Sequence, residues 1–173
     1  MKNLKKFVAL LLAGVMAMVM LTACSGGGTV TDEQKQERAY NRIAKSKQVD
    51  AASVTENDKE LQRIAEGHLQ EDLNASVDFL GAKWVAGFHV DGSEKDQHLT
   101  ITATSSYKAG YLIATLVDHL QDWVGSEELP DTNVNLNAKG SWTKLGVVVK
   151  TDPKTKQSYM AIAFQIKNPN YVK

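Results

Sequence analysis

Two histidines of this chain are spaced in a way that could bind a metal ion. His89 and His98 lie on either side of a polar segment, residues 91–97, which contains Glu94. If the flanking residues pair as antiparallel strands, the two imidazoles can approach each other on one face of a sheet. Two histidines and a carboxylate suit a transition metal. A polar loop at a sheet edge has the same composition, so a metal site at His89, His98 and Glu94 is one of two interpretations.

The other reactive residue types give no sign of catalysis. His68 falls on the apolar face of a predicted helix and fits a half-buried packing position. His119 follows Asp118 on another predicted helix, where adjacent side chains point about 100° apart and do not share a ligand site. The sequence has no Gly-x-Ser-x-Gly elbow, and no serine beside a histidine suggests a triad. We therefore predict no catalytic residues and no cofactor.

Three aromatic residues next to polar segments indicate a candidate ligand groove. Tyr107 and Tyr111 flank the start of a predicted helix, and Trp142 follows a long loop, residues 126–141, that contains three Asn and one each of Asp, Gly and Pro. Aromatic side chains beside polar groups suit peptide or sugar ligands. Long loops without regular structure are often functional. We therefore expect Tyr107, Tyr111 and Trp142 to line a groove.

The amino-terminal segment has the pattern of a cleaved export signal. Lys2, Lys5 and Lys6 precede an apolar run over residues 7–21. This run is shorter than the roughly 20 apolar residues that span a bilayer. Small residues follow it and lead to Cys24, the only cysteine of the chain.

The sequence Leu21-Thr22-Ala23-Cys24 resembles the lipobox of bacterial lipoproteins. The resemblance implies that residues 1–23 are removed and that a diacylglyceryl group is attached to the sulfur of Cys24. Two acyl chains give stable membrane attachment where one does not. Residues 24–30 are rich in Gly and Ser and are expected to form a flexible tether. The chain is therefore expected at the extracytoplasmic face of the bacterial cell membrane, with the covalent lipid as its attached group.

Composition and charge narrow the possible partners of the remaining chain. The 173 residues carry 20 basic and 20 acidic side chains, and 43% of the residues are hydrophobic. Removal of the three lysines in the signal leaves 17 basic against 20 acidic side chains, a net charge of about −3. This balance argues against a nucleic-acid partner. The composition is that of a globular protein, and residues 31–173 are expected to form one domain.

Hydrophobic periodicity divides this domain into helices and antiparallel strands. Helical spacing is found over residues 31–47, 55–80 and 109–124. Alternation of apolar and polar residues is found over residues 82–90, 98–105, 142–150 and 157–167. The apolar positions predict a core that includes Leu61, Ile64, Leu73, Leu116, Leu120, Trp123, Val147, Val149, Ile162 and Phe164. The element order α-α-β-β-α-β-β predicts an α+β domain, an α-β-α sandwich with antiparallel strands.

Characteristic residues lie in the second predicted helix (Leu61 and Ala65), at 120–126 and in the two closing strands. Together they resemble the CAP superfamily, which comprises the cysteine-rich secretory, antigen-5 and pathogenesis-related proteins. Leu61 and Ala65 have the Leu-x-x-x-Ala spacing of the first core helix in that family. Residues 120–126 are similar to a later helix that ends in Trp-x-x-Ser, and residues 145–149 with 160–165 resemble the closing hairpin. The resemblance implies a three-layer α-β-α sandwich.

The metal-binding residues of that family do not carry over to this chain. The family site consists of two histidines and two glutamates, one of them in a Gly-Glu-Asn motif that is absent here. One histidine normally follows Trp-x-x-Ser by three residues, and that position is Leu129. The resemblance therefore implies a fold and no ligand set.

These observations favour a lipid-anchored, non-catalytic binding module that contacts an envelope protein, a peptide or a glycan. One alternative is a surface hydrolase or metal-dependent enzyme that uses His89, His98 and Glu94; their clustering would favour it. The other is an envelope-assembly lipoprotein whose charged first helix docks on a partner. An exposed apolar stripe on that helix would favour this second alternative.

Overall fold

The domain is built from helices and antiparallel strands whose long elements follow the predicted order, with one additional short hairpin after the second helix. This computed structural model describes residues 30–76, 78–79, 82–110, 136 and 138–171. In chain order the elements are α1 (Asp32–Ile43), α2 (Lys59–Ala75), β1 (Asp78–Phe79), β2 (Ala82–Lys83), β3 (Ala86–Asp91), β4 (His98–Ser106), α3 (Tyr107–Gly110), β5 (Lys144–Thr151) and β6 (Ser158–Lys167). The α+β class with antiparallel strands is confirmed. The predicted helix over residues 109–124 lies, beyond its first turn, outside the described residues.

A four-stranded sheet with the order β3-β4-β6-β5 forms the centre of the domain. All three strand pairs are antiparallel, and β1 and β2 form a separate short hairpin. Side chains on successive residues point to opposite faces, and both faces are buried. One face carries Leu99, Ile101, Leu145, Val147, Val149, Met160, Ile162, Phe164 and Ile166. The other carries Val148, Tyr159, Ala161 and Ala163.

Of the seven predicted core residues that the structure describes, five are buried and two are partly buried. Five of the predicted residues are buried: Leu61, Val147, Val149, Ile162 and Phe164. Ile64 and Leu73 are partly buried and pack against the cluster under α2. Leu116, Leu120 and Trp123 lie outside the described residues.

Helix α2 covers the second face of the sheet. Leu61, Ala65 and Leu69 recur every four residues and are buried against β5 and β6. The helix approaches β5 so closely that a Cβ atom at Gly146 would lie 2.5 Å from the Cβ of Leu61. Glycine at that position is therefore a condition for this packing.

The ends of α2 differ from the predicted ones. The helix begins at Lys59, because the Asp58 carboxylate accepts hydrogen bonds from the backbone N–H groups of Glu60 and Leu61. It ends at Ala75 rather than at residue 80. The carbonyl of Leu73 accepts hydrogen bonds from the Ser76 hydroxyl at 2.8 Å and from Lys83 Nζ at 3.0 Å. Side chains thus satisfy a carbonyl of the last turn, which ends the helix.

Helix α1 begins as predicted and closes one edge of the sheet. Thr31 and Gln34 form a capping box at its start. Asp32 accepts a hydrogen bond from the backbone N–H of Thr151 at 2.8 Å, and Gln36 accepts one from that of Val149 at 3.3 Å.

Asn57 continues this row of edge contacts between the two helices. Its Oδ1 accepts from the N–H of Val147 at 2.7 Å, and its Nδ2 donates to the Val147 carbonyl at 3.1 Å. The side chains of Asp32, Gln36 and Asn57 thus accept hydrogen bonds from three backbone N–H groups on the outer edge of β5. A further strand would otherwise pair with these groups.

Candidate functional site: a histidine–carboxylate cluster

Five titratable side chains meet between α2 and the β3–β4 end of the sheet. His68, Glu71 and Asp72 occupy positions i, i+3 and i+4 of α2, which lie on one face of a helix. His89 and Asp91 are two residues apart on β3, which places them on one face of the strand. The two periodicities bring all five to the same interface. We call these five residues the histidine–carboxylate cluster.

Asp72 fixes the His89 half of the cluster. Its Oδ2 atom lies 3.0 Å from Nε2 of His89 and accepts a hydrogen bond from the Thr104 hydroxyl. Gly87 makes room for this carboxylate, since a Cβ atom there would lie 1.9 Å from Oδ2 of Asp72. With Nε2 donating to Asp72, the lone pair of a neutral His89 ring is on Nδ1.

Asp91 and Glu71 hold the His68 half of the cluster. Nε2 of His68 lies 2.9 Å from Oδ2 of Asp91, and Nδ1 lies 3.3 Å from Oε2 of Glu71. Burial of the ring lowers the pKa of His68, but the hydrogen bonds and charges of Asp91 and Glu71 outweigh it and raise that pKa above its usual value. The His68 side chain is 18% exposed, whereas that of Glu71 is 71% exposed. The cluster therefore opens to solvent on the Glu71 side.

The two imidazole rings are stacked. The ring centroids of His68 and His89 are 4.0 Å apart, and their planes differ by 11°. Two charged rings at this distance would repel each other, and the three carboxylates around them counter that repulsion. The stack joins two His–Asp pairs, His68–Asp91 and His89–Asp72, into one network.

Three of these residues have the donor atoms of a transition-metal site. One ligand atom each from His68, Glu71 and His89 lies within 4.8 Å of the others. Imidazole ligands suit zinc, copper and nickel ions, and zinc also binds carboxylate oxygens. The buried hydroxyl of Thr102, the residue paired with His89 across β3 and β4, has no hydrogen-bond partner among the described residues. The cluster thus combines metal-binding groups with an unsatisfied neighbouring hydroxyl.

The structure does not bring His98 and Glu94 to His89 as the sequence interpretation required. His89 pairs with Thr102, and His98 lies four residues earlier on β4, about 13 Å along the strand. Glu94 is exposed in the connecting loop. The partner of His89 is instead His68, which the sequence assigned to packing. The spacing of residues 68, 71 and 72 on one helix face was the signal available, but the sequence does not state which strand that face meets.

The burial of Trp142 contradicts its predicted place in a ligand groove. Trp142 is 1% exposed, its Nε1 donates to the Leu136 carbonyl at 3.0 Å, and its ring stacks on Phe164 at 3.8 Å. Tyr107 is half-buried and donates through its hydroxyl to the Lys35 carbonyl at 3.2 Å. Tyr111 lies outside the described residues. Trp142 is therefore a core residue, because its large ring is buried in the same apolar cluster as Phe164.

No protein-family model, curated protein or solved structure matches this chain. The similarity to the CAP superfamily and to a lipobox therefore stays a prediction from the sequence. None of the helices in the described ranges is both long and apolar enough to cross a membrane.

Proposed function

We propose that this chain is a lipid-anchored binding module on the extracytoplasmic face of the bacterial cell membrane. The observation that carries the proposal is the segment Leu21-Thr22-Ala23-Cys24, which places the only cysteine of the chain where a lipobox requires it. The positive residues and the short apolar run before it support the same interpretation.

The segment after Cys24 suits a tether between lipid and domain. Residues 24–30 include Ser25 and the glycines at 26, 27 and 28. A flexible chain of this length has an average span of about 15 Å. The domain would stay close to the membrane surface while remaining free to turn toward a partner.

A binding role is supported over covalent catalysis by the surroundings of the two clustered histidines. A histidine that activates a nucleophile must contact a hydroxyl or thiol. Within the part of the chain that the structure describes, His68 and His89 hydrogen-bond to carboxylates and to no such group. The hydrolase alternative built on His89, His98 and Glu94 also lacks support, since the strand register separates His98 from His89.

An exposed apolar stripe on the first helix would have favoured the envelope-assembly alternative. Ala39 and Ile43 of α1 are buried in the core of their own domain. Lys35, at the start of the same helix, donates to the hydroxyls of Thr151 and Ser158 at 2.9 Å each. The apolar side of α1 is thus occupied by its own sheet, and this helix gives no support to a docking role.

Replacement of the lipidated residue tests the proposal. Cells that produce the unchanged chain, Cys24→Ala or the control Ser25→Ala are labelled with a traceable fatty acid, and their membranes are separated. We expect label and membrane retention in the unchanged chain and in Ser25→Ala, and neither in Cys24→Ala. Equal label and equal retention in Cys24→Ala would overturn the lipoprotein assignment.

A further inference from the structure

We propose that His68, Glu71 and His89 bind one divalent transition-metal ion of the zinc class. This inference gives the binding module a ligand, but it rests on the geometry of the domain and holds whether or not Cys24 is acylated. Of these three residues, only His89 belonged to the ligand set that the sequence suggested.

A metal would bind the two Nδ1 atoms, in place of the contact that Nδ1 of His68 makes with Glu71. In metal sites a histidine commonly binds the ion through one ring nitrogen while the other donates to a carboxylate, which fixes the ring. Here Nε2 of His68 faces Asp91 and Nε2 of His89 faces Asp72. Both rings therefore already have the carboxylate partner that a metal-bound histidine needs.

The distance between His68 and Glu71 fits an ion between them. Metal–ligand distances of about 2.0–2.1 Å place two ligands of a tetrahedral ion about 3.3–3.4 Å apart. The separation of Nδ1 of His68 and Oε2 of Glu71 is 3.3 Å. An ion can enter from solvent at this point, since Glu71 is largely exposed.

His89 has to move by a small amount to complete the site. Its ligand atom lies within 4.8 Å of those of His68 and Glu71, whereas two ligands of one tetrahedral ion are about 3.3–3.4 Å apart. Because the two rings are nearly parallel, an ion in the plane of one lies outside the plane of the other. Binding must therefore tilt the His89 ring and end the parallel stack.

The surroundings favour a cation over an anion. Glu71, Asp72 and Asp91 surround two imidazoles that are neutral when metal-bound, so the cluster attracts positive charge. Three protein ligands also leave a fourth position of a tetrahedral ion open. Such an ion can hold water or one group from a partner, which fits a binding module.

Zinc titration of the full chain, purified in mild detergent and stripped with a chelator, tests the proposal by calorimetry. We expect one zinc ion per chain. Glutamine keeps a donor near the position of Nε2 but has no counterpart of Nδ1, so His68→Gln and His89→Gln should each weaken binding by more than about 100-fold. His98→Gln is the matched control and should bind as the unchanged chain does. No uptake, unchanged affinity in both cluster variants, or an equal loss in His98→Gln would overturn the proposal.

A spectroscopic measurement on the unsubstituted chain keeps the test independent of variant folding. One equivalent of Cu²⁺ should show nitrogen hyperfine coupling from two imidazoles in its electron paramagnetic resonance spectrum. A spectrum without imidazole nitrogen would overturn the site. Because neither measurement depends on acylation, failure of the metal site and failure of the lipid anchor are distinguishable.

Discussion

The carboxylate of Asp72 on α2 fills the space that a side chain at Gly87 on β3 would need. A Cβ atom at position 87 would lie 1.9 Å from Oδ2 of Asp72. This oxygen also accepts hydrogen bonds from Nε2 of His89 and from the Thr104 hydroxyl. The absence of a side chain at residue 87 thus allows a carboxylate to reach the sheet. The contacts of Asp72 with His89 and Thr104 depend on this fit.

We expect Gly87→Ala to displace Asp72, to loosen His89 and to lower the free energy of unfolding by about 1–3 kcal/mol. Gly67→Ala is the matched control, because a Cβ atom there meets nothing within 4 Å. Inside α2 that change should stabilise by about 0.5–1 kcal/mol. Urea unfolding of both variants measures the difference, and equal effects of the two changes would contradict the fit.

The contact of Asp32 with the β5 edge predicts a dependence of stability on pH. Burial raises the pKa of Asp32, but hydrogen bonds from Thr151 and Lys35 outweigh it and hold that pKa below its usual value. A lowered folded-state pKa means that the carboxylate stabilises the fold above its unfolded pKa, and that this stabilisation is lost as the pH falls through the folded-state value. Asp32→Asn should therefore destabilise at neutral pH and lose its effect in acid.

Unfolding by urea at several pH values between about 7 and 2 measures this loss. Glu37→Gln changes a charge on the exposed side of the same helix and should stay within about 0.5 kcal/mol of the unchanged chain throughout. A constant difference between the unchanged chain and Asp32→Asn at every pH would argue against the role of the carboxylate.

Asn57 should stabilise the domain through its two hydrogen bonds to Val147. Asn57→Ala leaves a strand N–H and a carbonyl without these partners, which is expected to cost about 1–3 kcal/mol. Asn41→Ala, at an exposed position of α1, serves as the control. Thermal unfolding of both variants checks the prediction, and a loss in Asn41→Ala as large as in Asn57→Ala would count against it.

Trp142 should behave as a core residue. Trp142→Ala is expected to cost about 3–5 kcal/mol because it empties a fully buried site. Trp142→Phe keeps a ring on Phe164 but loses the hydrogen bond to Leu136, so its cost should be about 1–3 kcal/mol. Chemical denaturation distinguishes the two variants, and an unchanged stability in Trp142→Ala would restore the groove interpretation.

The sequence correctly predicted the start of a helix where contacts between neighbouring residues determine it. Thr31 caps the start of α1 because its hydroxyl accepts a hydrogen bond from the Gln34 N–H, while the Gln34 side chain accepts one from the Thr31 N–H. The predicted start of α2, at residue 55, was wrong because several residues between 53 and 58 are of types that cap helices. Only contact with the sheet selects Asp58, whose N–H donates to the Leu145 carbonyl.

The candidate site could be predicted only in part, because it joins elements that are distant in the sequence. His89 was recognised from the strand that contains it. His68 was not, since its apolar helix face predicts packing equally well. Whether His68 packs in the core or joins the site depends on the contact of α2 with β3, which tertiary structure alone determines.

The closed edge of β5 has a consequence for copies of the chain that share one membrane. In the lipid-anchored chain that we propose, tethered domains diffuse in two dimensions and collide often. A strand with unsatisfied backbone groups would then recruit neighbouring copies into a growing sheet. Because Asp32, Gln36 and Asn57 already bind those groups on β5, that side of the domain can be crowded at high surface density without polymerising.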